Sequence, residues 1–292
     1  MQIAIFGRSF NEGRSNVIKE LYCSLHDNGV ELLVIEPFFH ATASLFPENA
    51  IVRTFNKPEE LTSNTSCLMT IGGDGTLLEA LTYIRNSDIP VFGINTGRLG
   101  FLTGFSQEEV QFAVQMAINQ DYFIDNRTLL QLEMNGNPFL DFPFALNDIT
   151  LHKKDSSTMI TVHVKLNGDH LNSYWADGLI VASPTGSTGY SLSCGGPILM
   201  PESPSFVITP IAPHNLNVRP LVITDQHQLS FDVEVRGKNF MLSLDSRSVS
   251  LPARSKIIIK KAPFCIKLAR KPDQSFLKTL REKLMWGSDR RN

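Results

Sequence analysis

The hydrophobic period changes once along this chain, and that change limits what the chain can fold into. Up to about residue 126, short apolar runs that break at glycine alternate with apolar residues at helical spacing. Ile3-Ala4-Ile5-Phe6 stops at Gly7, and Val17, Ile18, Leu21 and Leu25 then share one helical face that Asn28-Gly29 terminates. Leu32 to Ile35 reads as a second strand, and the run Cys67 to Ile71 breaks into Gly72-Gly73-Asp74-Gly75. Leu77, Leu78, Leu81 and Ile84 resume helical spacing, and Val91 to Ile94 is a further buried strand. Ser106 with Glu109 forms a capping box ahead of Val110, Ala113 and Met116. Strands alternating with helices predict a parallel, doubly wound α/β sheet.

From about Arg127 the period is two. Ile160, Val162, Val164 and Leu166 alternate with polar residues, as do Leu229, Phe231, Val233 and Val235, then Phe240, Leu242 and Leu244, with Ile257 and Ile259 following. Turns such as Asn167-Gly168 and Arg236-Gly237 separate these runs, which predicts an antiparallel β domain. Ser275 to Trp286 carries Leu277, Leu280 and Leu284 on one stripe and is expected to pack back on the first domain. The expected division is residues 1–125, 126–270 and a returning helix over 271–292.

Composition excludes several classes. A formal net charge of −2 carries no basic stripe for nucleic acid. The Lys/Arg concentration from Lys256 to Lys271 reads mainly as solvated strand faces. Cys23, Cys67, Cys194 and Cys265 lie far apart and in no metal-ligand spacing. No apolar run nears the roughly 20 residues that cross a bilayer. A cytoplasmic protein without a membrane or nucleic-acid partner is expected.

Four segments carry the chemistry. Thr70-Ile71-Gly72-Gly73-Asp74-Gly75-Thr76 joins a strand exit to a helix start, where ligands bind in open α/β sheets. Gly72, Gly73, Gly75 and Thr76 can bring backbone N–H groups to a phosphate. An acid there makes sense if Asp74 faces a hydroxyl that loses its proton, or holds a metal ion that bridges phosphates. A tight turn with Asp74 capping the helix is the plain alternative. Gly93-Ile94-Asn95-Thr96-Gly97-Arg98-Leu99-Gly100-Phe101-Leu102 lies at the exit of the next strand, either as a glycine-lined groove or as a long turn. Asn147-Asp148 pairs an amide with a carboxylate, suited to a base edge and sugar hydroxyls, or to a turn. Asp177-Gly178 leads through a strand into Ser183-Pro184-Thr185-Gly186-Ser187-Thr188-Gly189-Tyr190-Ser191-Leu192-Ser193-Cys194-Gly195-Gly196-Pro197, too rich in small hydroxylated residues for a core and too apolar for a linker. Among catalytic fingerprints, G-x-x-x-x-G-K-[ST], G-x-G-x-x-G and G-x-S-x-G are missing.

In this order the segments resemble the NAD kinase family (ATP/polyphosphate-NAD kinases) over roughly residues 67 to 260. The resemblance implies a Rossmann-like α/β domain, a β-sandwich-like domain, and homodimers or homotetramers whose site lies at the domain junction. It implies NAD and ATP, or polyphosphate, as substrates, and a divalent metal ion, Mg²⁺ by preference. By resemblance Asp74 is the proton acceptor and Gly75 joins it in binding nucleotide. Asn147 and Asp148 hold the adenosine portion, and Asp177 lies near the nicotinamide ribose. Thr185, Thr188, Gly189, Tyr190, Ser191, Leu192 and Ser193 line the NAD groove, with Ala212 facing the nicotinamide end. Asn95, Phe101 and Asp245 are further candidates. Trp175 stands where many members carry a basic residue, Arg247 where Gln is common, and Gly189 where Ala is frequent. The implied reaction is phosphorylation of the adenosine-ribose 2′-hydroxyl of NAD to NADP. The rival readings are a catalytically silent nucleotide sensor and a lipid or sugar kinase that shares the glycine loop.

Overall fold

The computed structural model describes residues 1–8, 10, 12–97, 100–136, 139, 141–154, 158–272 and 274–285. Arg98 and Leu99 of the second candidate loop, and Trp286 at the end of the expected terminal helix, lie outside the described residues. The chain divides into two compact units, Met1–Asn126 with Ile266–Asn292, and Arg127–Cys265.

In the first unit the strands are β1 (Gln2–Gly7), β2 (Glu31–Ile35), β3 (Val52–Phe55), β4 (Thr65–Ile71), β5 (Val91–Asn95) and β6 (Phe105–Ser106). Helices α1 (Ser15–Asp27), α2 (Glu36–Thr42), α3 (Asp74–Ile84) and α4 (Val110–Asn119) connect them. The strands pair in parallel in the order β3-β2-β1-β4-β5-β6. β4 and β5 are apolar and buried nearly throughout, because a parallel sheet is covered on both faces. The order reverses between β1 and β4, so the crevice outside their carboxyl ends is the expected ligand position. α1 buries Ile18, Leu21, Tyr22 and Leu25, and α3 buries Leu77, Ala80, Leu81 and Ile84. The capping box of Ser106 and Glu109 opens a 3-10 turn, Gln107–Glu109, that leads into α4.

The second unit holds most of β7 (Phe123–Glu133), then β8 (Phe144–Ala145), β9 (Asp148–Lys153), β10 (Ile160–Leu166), β11 (Asp169–Ala176), β12 (Gly178–Ala182), the short helix α5 (Tyr190–Ser193), β13 (Ser205–Ile211), β14 (Leu221–Thr224), β15 (Leu229–Glu234), β16 (Asn239–Leu244) and β17 (Arg247–Pro252), with β18 (Ile257–Arg270) passing out of it. One antiparallel sheet runs β11-β10-β15-β18, and the other β14-β13-β12-β9-β16-β17. Val162, Val164, Phe231 and Val233 from the first sheet meet Ile149, Leu151, Phe240 and Leu242 from the second in one core. The alternation read from the sequence therefore marks which side of each strand enters that core. Asn167 and Gly168, both at positive φ, make the β10–β11 turn as read.

The last helix, α6 (Phe276–Leu284), begins at Ser275, whose side chain accepts from Lys278 N. The expected stripe is only partly buried: Leu280 is 2% exposed, whereas Leu277 is 51% and Leu284 39% exposed. Helical spacing marks which face is apolar and not how much of it a neighbour covers. Among the described residues no helix is long and apolar enough to cross a membrane. The four cysteines are free thiols.

Candidate active site

At the order reversal, β4 is followed by Gly72, whose φ of +153° is glycine conformation, and a Cβ there would clash with Thr76 Oγ1. Thr76 is therefore turned under the loop and only 8% exposed. A Cβ on Gly73 would meet nothing within 4 Å, which leaves the first turn of α3 open to a phosphate. Arg8, at the exit of β1, lies beside this turn. Its guanidinium pairs with Glu79 of α3 and stands 3.7 Å from the position a Gly75 Cβ would take. Nothing local in the sequence marks Arg8, because only the strand order brings the ends of β1 and β4 together.

Asp74 does not cap its own helix. Its Oδ2 accepts from Phe101 N at 2.8 Å, and its Oδ1 from Leu102 N at 3.2 Å, Thr103 N at 3.1 Å and the Thr103 hydroxyl at 3.2 Å. The donors arrive because the chain leaves β5, loops out and returns as β6 beside it, pairing Ile94 with Phe105. Gly93 permits the return, since a Cβ there would be 2.8 Å from Thr103 Cα. Asn95, 3% exposed, ties the loop by accepting Gly97 N at 2.7 Å and donating to Thr103 Oγ1 at 3.0 Å. Arg270, paired with Asp125 at 3.2 Å, donates to the Phe101 carbonyl at 3.3 Å. The glycine-lined segment is thus a bracket for Asp74, and Thr103 and Arg270 are members of it that sequence reasoning missed. Asn95 and Phe101 serve it as a tie and a backbone donor.

In the second unit a different corner forms. Asn147 and Asp148 enter β9 next to β12, with Ser183 N donating to the Asn147 carbonyl at 2.9 Å. Gly186 allows this, because a Cβ there would sit 2.1 Å from that oxygen. Asp245, at φ +51° between β16 and β17, turns its carboxylate onto Leu146 N, Asn147 N and Asp148 N at 2.9, 2.8 and 3.2 Å. Arg247 donates to the carbonyls of Phe142 and Phe144 at 2.6 and 2.5 Å. Both residues hold the approach to Asn147-Asp148 in place.

Asp148 itself receives the Thr150 hydroxyl at 2.8 Å. Burial, with the charge of Asp245 adding to it, pushes its carboxyl up to about 6 against that bond. Burial also pushes Asp245 up, opposed by its three backbone donors and by Arg247. Tyr190 is 45% exposed, and its hydroxyl is raised by burial and by the charges of Cys194, Asp148 and Asp177, which places it near both acids. Asp177 pairs with Lys153 at 2.7 Å and its N–H bonds Ile211 O, next to Ala212 at φ +42°. Trp175, 46% exposed, lies against His214 with ring centroids 4.1 Å apart. Asp148, Asp177, Tyr190, Ala212 and Trp175 accordingly belong to one region.

The small hydroxylated stretch divides. Ser187 donates to Pro184 O at 2.6 Å, and Ser191 shares a hydrogen bond with Thr209 at 2.8 Å; both are fully buried. Thr185 is 6% exposed and accepts from Arg127 at 3.3 Å, while Thr188 donates to Thr185 O at 3.2 Å. The side chain of Ser191 therefore builds the turn and does not line a groove, whereas Thr188, Gly189, Tyr190, Leu192 and Ser193 retain exposed surface. Among the described residues no three His, Cys, Asp or Glu side chains come together to hold a metal ion.

Residues 3–122 match the model of the ATP-NAD kinase N-terminal domain, and residues 146–271 that of the ATP-NAD kinase C-terminal domain. The chain is 46% identical over 297 residues to an NAD kinase of Flavobacterium psychrophilum, covering 100% of both. An NAD kinase from Archaeoglobus fulgidus, solved in complex with ATP, superposes with a TM-score of 0.76 at 27% identity, over 98% of this chain and 99% of that one. Yeast NADH kinase, solved in complex with NADH, shares the fold with a TM-score of 0.88 at 24% identity, over 99% of this chain and 88% of that one. With both halves matched and full-length relatives this similar, the chain belongs to the NAD kinase family.

Proposed function

We propose that this enzyme, which phosphorylates NAD, uses Asp74 as proton acceptor for the 2′-hydroxyl of the adenosine ribose, with ATP as donor. The observation that carries this is the bracket around Asp74, a carboxylate held by four donors at the carboxyl end of the sheet while one oxygen accepts only a single bond. A mere helix cap would satisfy the first turn of α3, and Asp74 does not.

The 2′-oxygen attacks the terminal phosphorus of ATP, the bond to the bridging oxygen breaks, and ADP leaves. The hydroxyl proton passes to Asp74 and then to solvent. A carboxylate becomes an effective base towards a sugar hydroxyl only late, when the attacking oxygen is already bonding to phosphorus. Positioning then supplies most of the rate, since a loose phosphoryl transition state asks for little covalent help. Gly73 and Gly75 present backbone N–H groups to the donor phosphates, and Arg8 adds charge beside them.

Asp148 and Asn147 hold the adenosine portion, Asp177 the second ribose, and Tyr190, Ala212 and Trp175 the nicotinamide end. A divalent cation fits this loop because Mg²⁺ is ordinarily held by substrate phosphates and one or two protein oxygens, and the space above Gly73 is open. Bound there, it would neutralise phosphate charge. A cytoplasmic homodimer or homotetramer is part of the proposal; exposed Leu216, Leu221 and Val222 at the β14 edge support self-association. A silent sensor or a lipid or sugar kinase is not favoured, because the family match spans both halves.

The test is a 2′-deoxy analogue of NAD offered with ATP and Mg²⁺, and with inorganic polyphosphate in parallel. The analogue is expected to inhibit competitively and to remain unphosphorylated. A phosphorylated product from it assigns the wrong acceptor oxygen, and turnover of NAD with polyphosphate alone assigns the wrong donor.

A further inference from the structure

We infer that Thr103 and Gly100 are positioning residues that make the two oxygens of Asp74 unequal, leaving Oδ2 as the oxygen that takes the substrate proton. This rests on the reading of Asp74 as proton acceptor.

A threonine hydroxyl has one hydrogen and two lone pairs to place. Asn95 Nδ2 and Gly100 N each donate to Thr103 Oγ1 at 3.0 Å. The Asn95 amide is itself oriented, because its Oδ1 accepts Gly97 N at 2.7 Å and so turns Nδ2 towards Thr103. With both lone pairs met by N–H groups, the hydroxyl hydrogen is directed at Asp74 Oδ1, 3.2 Å away. Thr103 is 0% exposed, so water does not compete for these bonds.

Three donors converge on Oδ1 and one on Oδ2. A carboxylate oxygen has about two lone-pair sites, so Oδ1 is saturated while Oδ2 keeps one open. Gly100 provides the fit. A Cβ there would stand 1.8 Å from Oδ1 and 2.4 Å from Oδ2, so any side chain would push the carboxylate out of its bracket. None of these groups needs to touch substrate; they act through Asp74.

The test compares full-length wild type with Thr103→Val, Thr103→Ser, Gly100→Ala and Asp74→Asn, measuring kcat, KM for NAD and melting temperature. Thr103→Val is expected to lose roughly 10–100-fold in kcat with KM within about threefold, as a displaced catalytic group does. Thr103→Ser should recover to within about threefold of wild type, and Gly100→Ala should lose more than about 100-fold. A purely structural contact would instead lower melting temperature without separating kcat from KM, and Ser would not rescue. Wild-type kcat in Thr103→Val, or in Gly100→Ala if the valine variant does not fold, overturns the inference. If Asp74→Asn keeps its turnover, the underlying reading fails. If Asp74→Asn is dead while the other variants are active, only the positioning role fails.

Discussion

Two carboxylates in this molecule are housed in opposite ways. Asp74 is met by four donors from one returning loop, whereas Asp148 is buried with a single side-chain donor and a second acid, Asp245, beside it. The first is held in place by donors from the protein itself. The second is left short of partners that a ribose or adenine could supply, since ligand hydroxyls and amino groups are donors. A group that must meet a forming bond needs a fixed position, and a group that must recognise a ligand profits from an unmet demand. On the proposed reading, this comparison assigns rate to Asp74 and affinity to Asp148.

Four outcomes would break or sharpen that division. The largest is the turnover of Asp74→Asn, expected to fall roughly 10²–10⁴-fold, the range of a general base. Retention of more than about a hundredth of wild-type kcat in a coupled assay would remove Asp74 from that role. Next is Leu280→Ala, a control that touches neither acid. It should lower unfolding free energy by about 2–4 kcal/mol in a denaturant titration, as buried leucine truncations do, and leave kcat at 25 °C unchanged. Leu277→Ala, at an exposed position, should stay within about 0.5 kcal/mol of wild type.

Third, Asp148→Asn should weaken NAD binding about 10–100-fold by calorimetry, the cost of one or two hydrogen bonds to a charged group, while kcat at saturating NAD falls far less. The fourth and smallest effect is on the same variant's stability. A carboxyl raised to about 6 from the ordinary 3.8 favours folding in its protonated form. Its contribution is complete below pH 3.8 and is lost as pH rises through about 6. Asn cannot ionise, so above pH 6 the ligand-free variant should be more stable than wild type, by about 1–3 kcal/mol, with the difference vanishing near pH 4. Melting curves from pH 4 to 8 that run parallel for the two proteins would show that Asp148 is not strained.

How far the sequence revealed this follows from whether each signal is local. β4 and β5 were legible because a strand covered on both faces must be apolar throughout, and the second unit because its strands alternate. β3, with only Phe55 buried, carries no such run and has no signal in the sequence. The glycines around Asp74 mark it as a candidate in the sequence, but nothing local marks its bracket. Thr103 acquires its role when β6 pairs with β5, and Arg8 acquires its place when the strand order reverses. The resemblance implies Ser191 as a groove residue, whereas its hydroxyl bonds inward to Thr209. The stripe of α6 overstated burial, because periodicity shows which face is apolar and not how much of it a neighbour covers.

The division of labour between the two acids is tested most directly by the affinity of Asp74→Asn for NAD, measured by calorimetry on the protein whose turnover has been lost. The expected dissociation constant lies within about threefold of wild type, because the interaction removed is made in the transition state alone. An affinity that falls in step with the rate would contradict it and make Asp74 a second binding acid.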